Sequence, residues 1–503
     1  MTQINVNNLT FSYENSYDLI FDHATFTLDT DWRLGFIGRN GKGKTTFLNL
    51  LLGKYEYSGS INPQMRCDFF PYEISDLDKT ADELIYEWKP STESWKVICE
   101  LNSLEVDPEL LYRPIKTLSF GERTKIMLAV LFSDEGEFLL IDEPTNHLDK
   151  EAREVIKRYL ASKKGFILVS HDRDLLDACI DHVLVLNRST IEVQAGNFSS
   201  WWENKNKSDQ FAKAENEKHT KEIGRLKQTM DRSSSWASKS ESTKIGYDPI
   251  KEHDRTKNAR SYIGGKTKKM EARVKSFEVR MERTISEKEG LLKDIEQIRD
   301  LKVEHLEYIK DRLVECKSLS LRYNDSDEPV FKDLTFEIKK GDIVLLEGRN
   351  GCGKSSLINA ILCSGNSDKF TLEGELLVGS NLKISYIDQD TSHLKGDLRM
   401  HAFENGIDYS LFLSVLSQLD FESVQFEKDM VDFSEGQKKK VLIATSILTP
   451  AHLYIWDEPL NYVDVFSRMQ LEKLIKKYKP TMLIVEHDTK FSRELATKTV
   501  EML

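Results

Sequence analysis

The stretch GRNGKGKTT at residues 38–46 decides the fold, because it returns as GRNGCGKSS at residues 348–356. Three other motifs return in the same order. LSFGE returns as FSEGQ, LLIDEPTNHLD as YIWDEPLNYVD, and LVSHD as IVEHD, with offsets of 310 to 316 residues. Four motifs in one order at a nearly constant offset indicate a duplicated domain. We therefore predict one copy at residues 1–200, a second at 313–503, and an insert at 201–312.

Each glycine-rich stretch lies between a short apolar run and a segment of helix-forming residues. LGFIG and DIVLLEG precede the two stretches, while FLNLLLG and LINAILC follow them. Strand, glycine-rich turn and helix is the context of a phosphate-binding loop. Other apolar runs, such as FLLIDE and FILVSH, end in a carboxylate or a histidine. We predict an α/β fold with functional groups at the carboxyl ends of parallel strands.

Composition excludes several classes of protein. The chain has 503 residues, 39% of them hydrophobic and 31% charged, with only 11 Pro and 25 Gly, as in helix-rich globular proteins. No apolar run reaches the length of a transmembrane helix, and the N-terminus does not resemble a secretory signal. Six cysteines without a C-x-x-C pair indicate free thiols in a reducing compartment. We expect a cytoplasmic protein.

The net charge of −12 hides an asymmetry. Residues 201–310 contain 26 Lys and Arg against 20 Asp and Glu, so the insert carries +6 and the rest of the chain −18. Within it, residues 251–280 have ten basic and four acidic side chains. A basic insert between two acidic domains needs an explanation of its own.

The insert has helical periodicity on both sides of an irregular centre. Apolar residues from Met270 to Ile298 recur at spacings of three and four, and a weaker stripe includes Phe211 and Leu226. Residues 233–266 are rich in Ser and contain Pro249 and a Gly pair, which favours turns. We predict a long antiparallel helical hairpin with a basic tip at about 233–266. The alternative is a solvated spacer that only links the domains.

The two glycine-rich loops have the residues that bind nucleotide phosphates. Backbone N–H groups would surround the phosphates, a lysine would contact the β- and γ-phosphates, and the next hydroxyl could bind Mg²⁺. The residues expected to bind ATP in these loops are Gly38, Asn40, Gly41, Gly43, Lys44, Thr45 and Thr46, and Gly348, Asn350, Gly351, Gly353, Lys354, Ser355 and Ser356.

The carboxylates and histidines at the strand ends indicate metal binding and hydrolysis. Asp142 and Asp457 would hold Mg²⁺ together with Thr45 and Ser355. The next residue of each copy would point to the opposite face of the strand and orient the attacking water, and the histidines would contact the γ-phosphate. The predicted catalytic residues are Glu143, Glu458, His171 and His487.

The order of these motifs resembles that of ATP-binding cassettes, and two cassettes with a charged helical linker resemble the ABC-F family. The resemblance implies that the signature motif of each cassette (LSFGE or FSEGQ) reaches the ATP held by the other. Ser119, Gly121 and Glu122 would then face the second loop, and Ser434, Gly436 and Gln437 the first. Tyr13 and Tyr323 would stack on adenine, with Tyr17 a rival to Tyr13. Gln389 would sense Mg²⁺, whereas Tyr72 occupies the equivalent position of the first copy.

LSFGE, PLNYVD and the long linker are similar to the antibiotic-resistance branch of the ABC-F family, the Lsa/Vga-like group. The resemblance implies that the ATP-bound protein enters the tRNA exit site of the 70S ribosome and extends its linker tip towards the P-site tRNA and large-subunit rRNA. This would oppose lincosamides, pleuromutilins and streptogramin A, and ATP hydrolysis would release the factor. Both glutamates are present, so both sites should hydrolyse ATP. Basic and aromatic side chains could contact RNA: Trp236, Tyr247, Lys251, Arg255, Lys257, Arg260, Tyr262, Lys266, Lys268 and Lys269.

Other functions share the cassette residues. One is a housekeeping ABC-F translation factor that acts on stalled or idle ribosomes without a drug. Another is the ATPase of a membrane transporter, which would not need the basic hairpin. A third is a DNA-repair or chromosome-structure ATPase, which usually has zinc modules or longer coiled coils. We expect neither a membrane nor a DNA partner, and a monomer whose cassettes pair within one chain.

Overall fold

The computed structural model describes residues 2–13, 19–38, 43–63, 66–134, 136–146, 148–186, 191–242, 275–276, 280, 306–419, 421 and 423–502. Two compact units are present. One combines Met1–Trp201 with Arg299–Leu503, and the other is Trp202–Ile298. The first unit therefore contains the two repeated copies. Much of the second lies outside the described residues, so the predicted domain boundaries stay a prediction.

The first copy alternates strands and helices, as its sequence predicts. Its strands are β1 (Gln3–Phe11), β2 (Phe21–Asp29), β3 (Arg33–Gly38), β4 (Ser58–Asn62), β5 (Cys67–Phe70), β6 (Phe138–Asp142), β7 (Phe166–Val169), β8 (His182–Leu186) and β9 (Ile191–Ala195). Its helices are α1 (Lys44–Leu51), α2 (Ala81–Trp88), α3 (Ser94–Ser103), α4 (Phe120–Leu131), α5 (Lys150–Ser162), α6 (Arg173–Cys179) and α7 (Phe198–Ser242).

The second copy repeats this order. Its strands are β10 (Arg312–Tyr323), β11 (Phe331–Lys339), β12 (Ile343–Gly348), β13 (Phe370–Val378), β14 (Ile384–Ile387), β15 (Leu453–Asp457), β16 (Met482–Val485) and β17 (Lys498–Met502). Its helices are α8 (Lys354–Leu362), α9 (Leu398–Glu404), α10 (Tyr409–Gln418), α11 (Glu435–Leu448), α12 (Val465–Tyr478) and α13 (Thr489–Leu495).

A largely parallel sheet forms the centre of each copy. The strand order is β5-β6-β7-β3-β8-β9 in the first and β14-β15-β16-β12-β17 in the second. Strands β7 and β16 are buried along their whole length, which explains why their sequences are continuous apolar runs. The carboxyl ends of β3, β6 and β7 meet at one edge, since these strands are parallel and adjacent. The predicted α/β fold is confirmed.

A second, antiparallel sheet accompanies each central sheet. Its strand order is β2-β1-β4 in the first copy and β11-β10-β13 in the second. Buried and exposed residues largely alternate along β2 and β11, as expected for a sheet with one solvated face. Tyr13 follows β1 closely and Tyr323 ends β10, so these sheets position the two tyrosines.

Helix α7 corrects one expectation about the insert. It is 45 residues long and continues to Ser242, whereas the irregular tip was predicted to begin at residue 233. Serine lowers helix stability only slightly, and no Gly or Pro occurs between residues 225 and 242, so helix propagation exceeds the local turn preference. The predicted return helix lies mostly outside the described residues, of which 275–276 and 280 are helical.

Among the described residues, no helix has the length and apolar composition that a bilayer crossing needs.

Candidate active site

The first phosphate-binding loop joins the end of β3 to the start of α1. Gly43 has φ +106°, a left-handed conformation that favours glycine, and a Cβ there would lie 2.4 Å from Ile20. The Lys44 ammonium donates to the Gly38 carbonyl at 2.7 Å, so the lysine is held over the loop. Burial lowers the pKa of Lys44, although the facing carboxylates of Asp464, Glu143 and Asp142 raise it. The predicted Asn40 and Gly41 lie outside the described residues.

The second loop has the same geometry. Gly353 has φ +99°, and a Cβ there would lie 2.6 Å from Val330. The Lys354 ammonium donates to the carbonyls of Gly348 and Arg349 at 2.8 and 2.9 Å. The two loops therefore share one lysine arrangement, which places a positive charge where a phosphate would bind.

A hydroxyl and a carboxylate meet at the base of each loop. Thr45 Oγ1 donates to Asp142 Oδ2 at 3.2 Å, and Ser355 Oγ donates to Asp457 Oδ2 at 2.8 Å. Burial raises the pKa of both carboxyls, that of Asp457 to about 6. Hard oxygen donors next to a phosphate site fit Mg²⁺, which keeps phosphate oxygens and water as its other ligands. A cation bound here would favour the ionised carboxylates.

The sequence suggested that the two predicted catalytic glutamates belong to a strand and point to its opposite face. The structure shows a different arrangement, because both residues lie just after the strand. Strands β6 and β15 end one residue earlier, and Glu143 and Glu458 have φ of +50° and +47°. The Glu143 N–H donates to the Val169 carbonyl at 2.9 Å, which fixes this turn. A left-handed non-glycine residue in both copies is local strain of the kind found at functional sites.

A histidine accompanies each glutamate. Nε2 of His171 lies 3.4 Å from Glu143 Oε1, and Nε2 of His487 lies 3.6 Å from Glu458 Oε1. Burial and the Asp142 carboxylate raise the pKa of Glu143 to about 8. Burial lowers the pKa of His171 well below its usual value. A neutral histidine next to a carboxyl with a raised pKa is a proton-transfer arrangement.

The two copies differ at the position two residues after β5 and β14, which is Tyr72 in the first copy and Gln389 in the second. Gln389 Nε2 donates to Glu458 Oε2 at 2.7 Å, so its amide orients the second glutamate. At the equivalent position, the Tyr72 hydroxyl donates to Asp68 at 2.5 Å and its ring stacks on Trp88 with centroids 5.0 Å apart. Tyr72 is therefore engaged within its own copy and does not substitute for the amide.

A cavity of about 510 Å³ adjoins the first loop, and both copies line it. From the first copy it includes Lys44, Asp142 and Glu143, and from the second Ser434 and Gly436. The structure therefore brings the second signature motif to the first loop, where the resemblance places it. Its other predicted residues are Tyr13, Gly43, Thr45, Thr46, His171 and Gln437.

Lys440 and Tyr462 are among the lining residues of this cavity that sequence reasoning missed. The Lys440 ammonium lies 2.7 Å from Asp464, and both side chains are buried. Although burial opposes it, this ammonium holds the pKa of Asp464 below its usual range. Tyr462 lies within the quoted motif YIWDEPLNYVD, and Lys440 lies three residues after FSEGQ. The burial of a lysine cannot be read from composition.

The second loop adjoins a different cavity, of about 750 Å³. Its first-copy wall consists of Asp149, Lys150 and Glu151, and Lys150 bonds to Glu347 at 3.0 Å. Arg349 pairs with Glu151 at 3.0 Å.

The predicted Ser119, Gly121 and Glu122 are not among the residues that line this cavity. Glu122 instead accepts from the Ser119 backbone N–H and hydroxyl at 2.7 and 2.8 Å, as a cap of α4. Their role at the second site stays a prediction.

The model for the ABC transporter family matches residues 21–146 and 331–461, which is just over half of the chain. The chain belongs to this family. Both matched segments include the loop lysine and the strand-end glutamate of one copy. The two copies are therefore ABC cassettes that bind ATP, and the chain is an ATPase of the ABC-F type.

The relatives match nearly the whole chain. The chain is 28% identical to the ribosome protection protein VmlR of Bacillus subtilis (strain 168), over 95% of this chain and 83% of VmlR. It is 25% identical to the ATP-binding protein Uup of Buchnera aphidicola, over 99% of this chain and 80% of Uup. A crystal structure of archaeal ribosome recycling factor aABCE1 with the stalk protein aP1 matches with TM-score 0.61 at 20% identity, covering 98% and 87% of the two chains. This last likeness concerns the fold alone.

The two cassettes hold their tyrosines alike. The Tyr13 hydroxyl lies 2.9 Å from Thr46 Oγ1, and the Tyr323 hydroxyl lies 2.9 Å from Ser356 Oγ. Each ring thus stands beside its phosphate-binding loop, which is compatible with the predicted adenine contact. Tyr17 lies outside the described residues.

Most of the predicted RNA contacts lie outside the described residues. The backbone of Trp236 belongs to α7, while the predicted residues from Tyr247 to Lys269 lie outside the described residues.

Proposed function

We propose that the chain is an ATP-dependent ribosome protection factor. In its ATP-bound form it enters the tRNA exit site and directs the tip of its insert towards the P-site tRNA and the peptidyl-transferase centre. Lincosamides, pleuromutilins and streptogramin A are the drugs it opposes, and ATP hydrolysis releases it. It acts in the cytoplasm, where the ribosomes are.

The composite first cavity carries this proposal. Lys44 and Ser434 come from different cassettes and line one space, so a triphosphate bound there contacts both. A helix N-terminus with a free backbone N–H attracts an anion, and Ser434 caps such a helix, α11. ATP therefore supplies binding energy for the closed arrangement of the cassettes.

Hydrolysis requires that the same residues act on a water molecule. Glu143 or Glu458 accepts the proton of the attacking water, and the adjacent histidine contacts the γ-phosphate. Lys44 and Lys354 offset the charge on the phosphates. Mg²⁺, held by Thr45 with Asp142 or by Ser355 with Asp457, supplies charge neutralisation when it is bound. Loss of the γ-phosphate removes the contact that ATP makes between the two cassettes, which is the physical basis of release.

The ribosome as partner is supported by the relatives and by the insert. VmlR is named as a ribosome protection protein. Helix α7 is 45 residues long, about 68 Å at 1.5 Å per residue, and it leads from the first cassette into the basic part of the chain. A basic segment that follows a long helix in the sequence suits a polyanionic partner.

The second candidate function is a housekeeping translation factor without a drug role. This candidate is kept because Uup, which is 25% identical to the chain, is named for ATP binding and not for ribosome protection. The spacing between loop lysine and signature serine, 75 residues in the first cassette and 80 in the second, leaves no room for a large extra arm, which favours protection.

Sedimentation tests the ribosome as partner. The variant Glu143→Gln with Glu458→Gln should bind ATP without turnover and sediment with 70S ribosomes in Mg-ATP. Its control carries Lys44→Ala and Lys354→Ala as well and should stay at the top of the gradient. If the first variant also stayed there, the chain would not be a ribosome factor.

Drug susceptibility then separates the two candidates. A sensitive Gram-positive host expressing the chain should resist lincosamides, pleuromutilins and streptogramin A, while its sensitivity to an aminoglycoside stays the same. Replacing residues 240–265 by a Gly/Ser loop of equal length should abolish protection and retain basal ATPase activity. Ribosome binding without any protection would support the housekeeping function.

A further inference from the structure

The second cassette contains a buried carboxylate that has no counterpart in the first. Glu486 lies directly before His487 and is 5% exposed, whereas the equivalent residue of the first cassette is Ser170. Glu486 Oε1 accepts from the Leu460 N–H at 2.9 Å, and Oε2 accepts from the His487 N–H at 2.8 Å and more weakly from Asp488. The side chain of Glu486 therefore links the loop after β15 to the turn that contains His487.

The shorter Ser170 makes a local bond only. Its hydroxyl accepts from the Asp172 N–H at 3.1 Å, within the turn that follows β7. In the first cassette, Ser170 therefore does not provide the link that Glu486 provides in the second.

The second cassette also contains a buried lysine. Lys439 in α11 is 2% exposed, and its ammonium donates to the Asp388 carbonyl at 2.9 Å. Burial lowers the pKa of Lys439, and the carboxylates of Asp457, Glu458, Glu486 and Asp388 raise it.

The first cassette has neither the lysine nor the additional acids. Thr124 is equivalent to Lys439, and Pro71 is equivalent to Asp388. Lysine and acids thus occur together in the second cassette, as a cation that compensates buried carboxylates.

The loop held by Glu486 also serves the first cavity. Tyr462 lines that cavity, and Asp464 bonds to Lys440, which lines it as well. Asn461 of the same loop donates to Glu458 Oε2 at 2.7 Å. Residues 460–464 therefore touch the catalytic glutamate of the second site and the wall of the first.

We propose that Glu486 is a positioning residue that fixes the 460–464 loop against the His487 turn, with Lys439 as its counter-charge. This brace transmits the state of the second ATP site to the first cavity, and the first cassette has no equivalent among its described residues. The inference rests on ATP hydrolysis and is independent of the ribosome, so it can be tested with the purified chain alone.

Variants in which only one ATP site is active separate the effect of Glu486 on the second site from its effect on the first cavity. With Glu143→Gln, only the second site hydrolyses ATP. There, Glu486→Ser should lower kcat about tenfold, as loss of a supporting hydrogen bond near a catalytic group does, with KM within about twofold. Glu486→Gln retains one carbonyl acceptor and should lose less, about threefold. With Glu458→Gln, which leaves the first site, Glu486→Ser should raise KM for ATP about threefold, because the wall formed by Tyr462 is no longer held.

A double-mutant cycle tests the counter-charge. Lys439→Thr with Glu486→Ser gives the second cassette the pair found in the first. The double variant should have a kcat within about twofold of Glu486→Ser alone, since each residue compensates the other. If the reductions in kcat caused by the two single substitutions multiplied in the double variant, Lys439 would not be the counter-charge of Glu486.

Lys89 provides the matched control. It is a buried lysine of the first cassette, bonded to Asp68 at 2.7 Å and to Glu137 at 3.2 Å, and it lines neither cavity. Lys89→Thr should lower the melting temperature without changing kcat or KM in either background. If Glu486→Ser behaved like Lys89→Thr, the brace would be structural only and the proposal wrong.

Discussion

Replacing Glu472 by Gln should destabilise the contact between the two cassettes strongly. Arg173 at the start of α6 and Glu472 in α12 belong to different cassettes, and both are buried. Arg173 Nη1 donates to Glu472 Oε2 at 3.1 Å, and Nη2 donates to Oε1. The pair is therefore a bidentate, desolvated ion pair.

The size of the effect follows from what the substitution leaves behind. Removing one partner of a buried ion pair destabilises by about 3–5 kcal/mol, because the other charge stays buried without compensation. The nearby Asp488 carboxylate still faces the Arg173 guanidinium, so the lower end, about 3 kcal/mol, applies. At about 2–4 °C per kcal/mol, the melting temperature should fall by about 6–12 °C.

Differential scanning calorimetry without nucleotide measures this change, and an exposed ion pair between the same cassettes supplies the control. Arg349 and Glu151 lie 3.0 Å apart with side chains 74% and 67% exposed. Glu151→Gln should shift the transition by less than about 2 °C, since solvated pairs contribute about 0–1 kcal/mol.

The double variant Arg173→Met with Glu472→Leu decides between charge and packing. It removes both charges and retains the volume, so most of the lost stability should return. A double variant as unstable as Glu472→Gln would refute the reasoning from desolvation and would indicate that shape alone holds this interface.

Other substitutions test individual groups. Gln389→Ala removes the amide on Glu458 and should lower steady-state ATP turnover about tenfold. Tyr72→Phe should lower the free energy of unfolding by about 1 kcal/mol in urea and leave ATP turnover unchanged, because the Tyr72 hydroxyl donates to Asp68 of its own cassette. Asp464→Asn should destabilise by about 3 kcal/mol at pH 7, because it leaves the Lys440 ammonium unpaired. The folded-state pKa of Asp464 is lowered, so its contribution is present above the unfolded value of about 3.9 and is lost as the pH falls below it. Urea unfolding at a series of pH values should show that difference shrinking below about pH 4.

The repeated motifs were sufficient to predict the duplicated α/β fold and the groups at the strand ends. Strands β3, β6, β7 and their equivalents coincide with apolar runs, because a strand buried on both faces needs continuous hydrophobicity. The loop lysines follow from the glycine pattern, since glycine at φ > 0 directs the chain into α1 and α8.

Other features required the structure. The left-handed conformation of Glu143 has no signal in hydropathy, because it depends on a backbone bond to the neighbouring strand. Helix α7 continues through a Ser-rich segment, because helix ends depend on cooperative propagation as well as on the local residues. Glu486 and Lys439 were visible as differences from Ser170 and Thr124, but only their burial shows that they act together.

The two ATP sites should therefore hydrolyse at unequal rates, and the second should be the faster. Its glutamate is oriented by Gln389 and Asn461, each at 2.7 Å. In the first site, Tyr72 is engaged elsewhere, and burial raises the pKa of Glu143 to about 8, which leaves the carboxyl largely protonated at pH 7. A protonated carboxyl cannot accept the proton of water, so Mg-ATP must first restore its charge. Phosphate release by Glu143→Gln should accordingly exceed that by Glu458→Gln about tenfold at pH 7, and the ratio should decrease towards pH 9. The opposite ranking would mean that contact with the Ser434 signature, and not orientation of the glutamate, limits turnover.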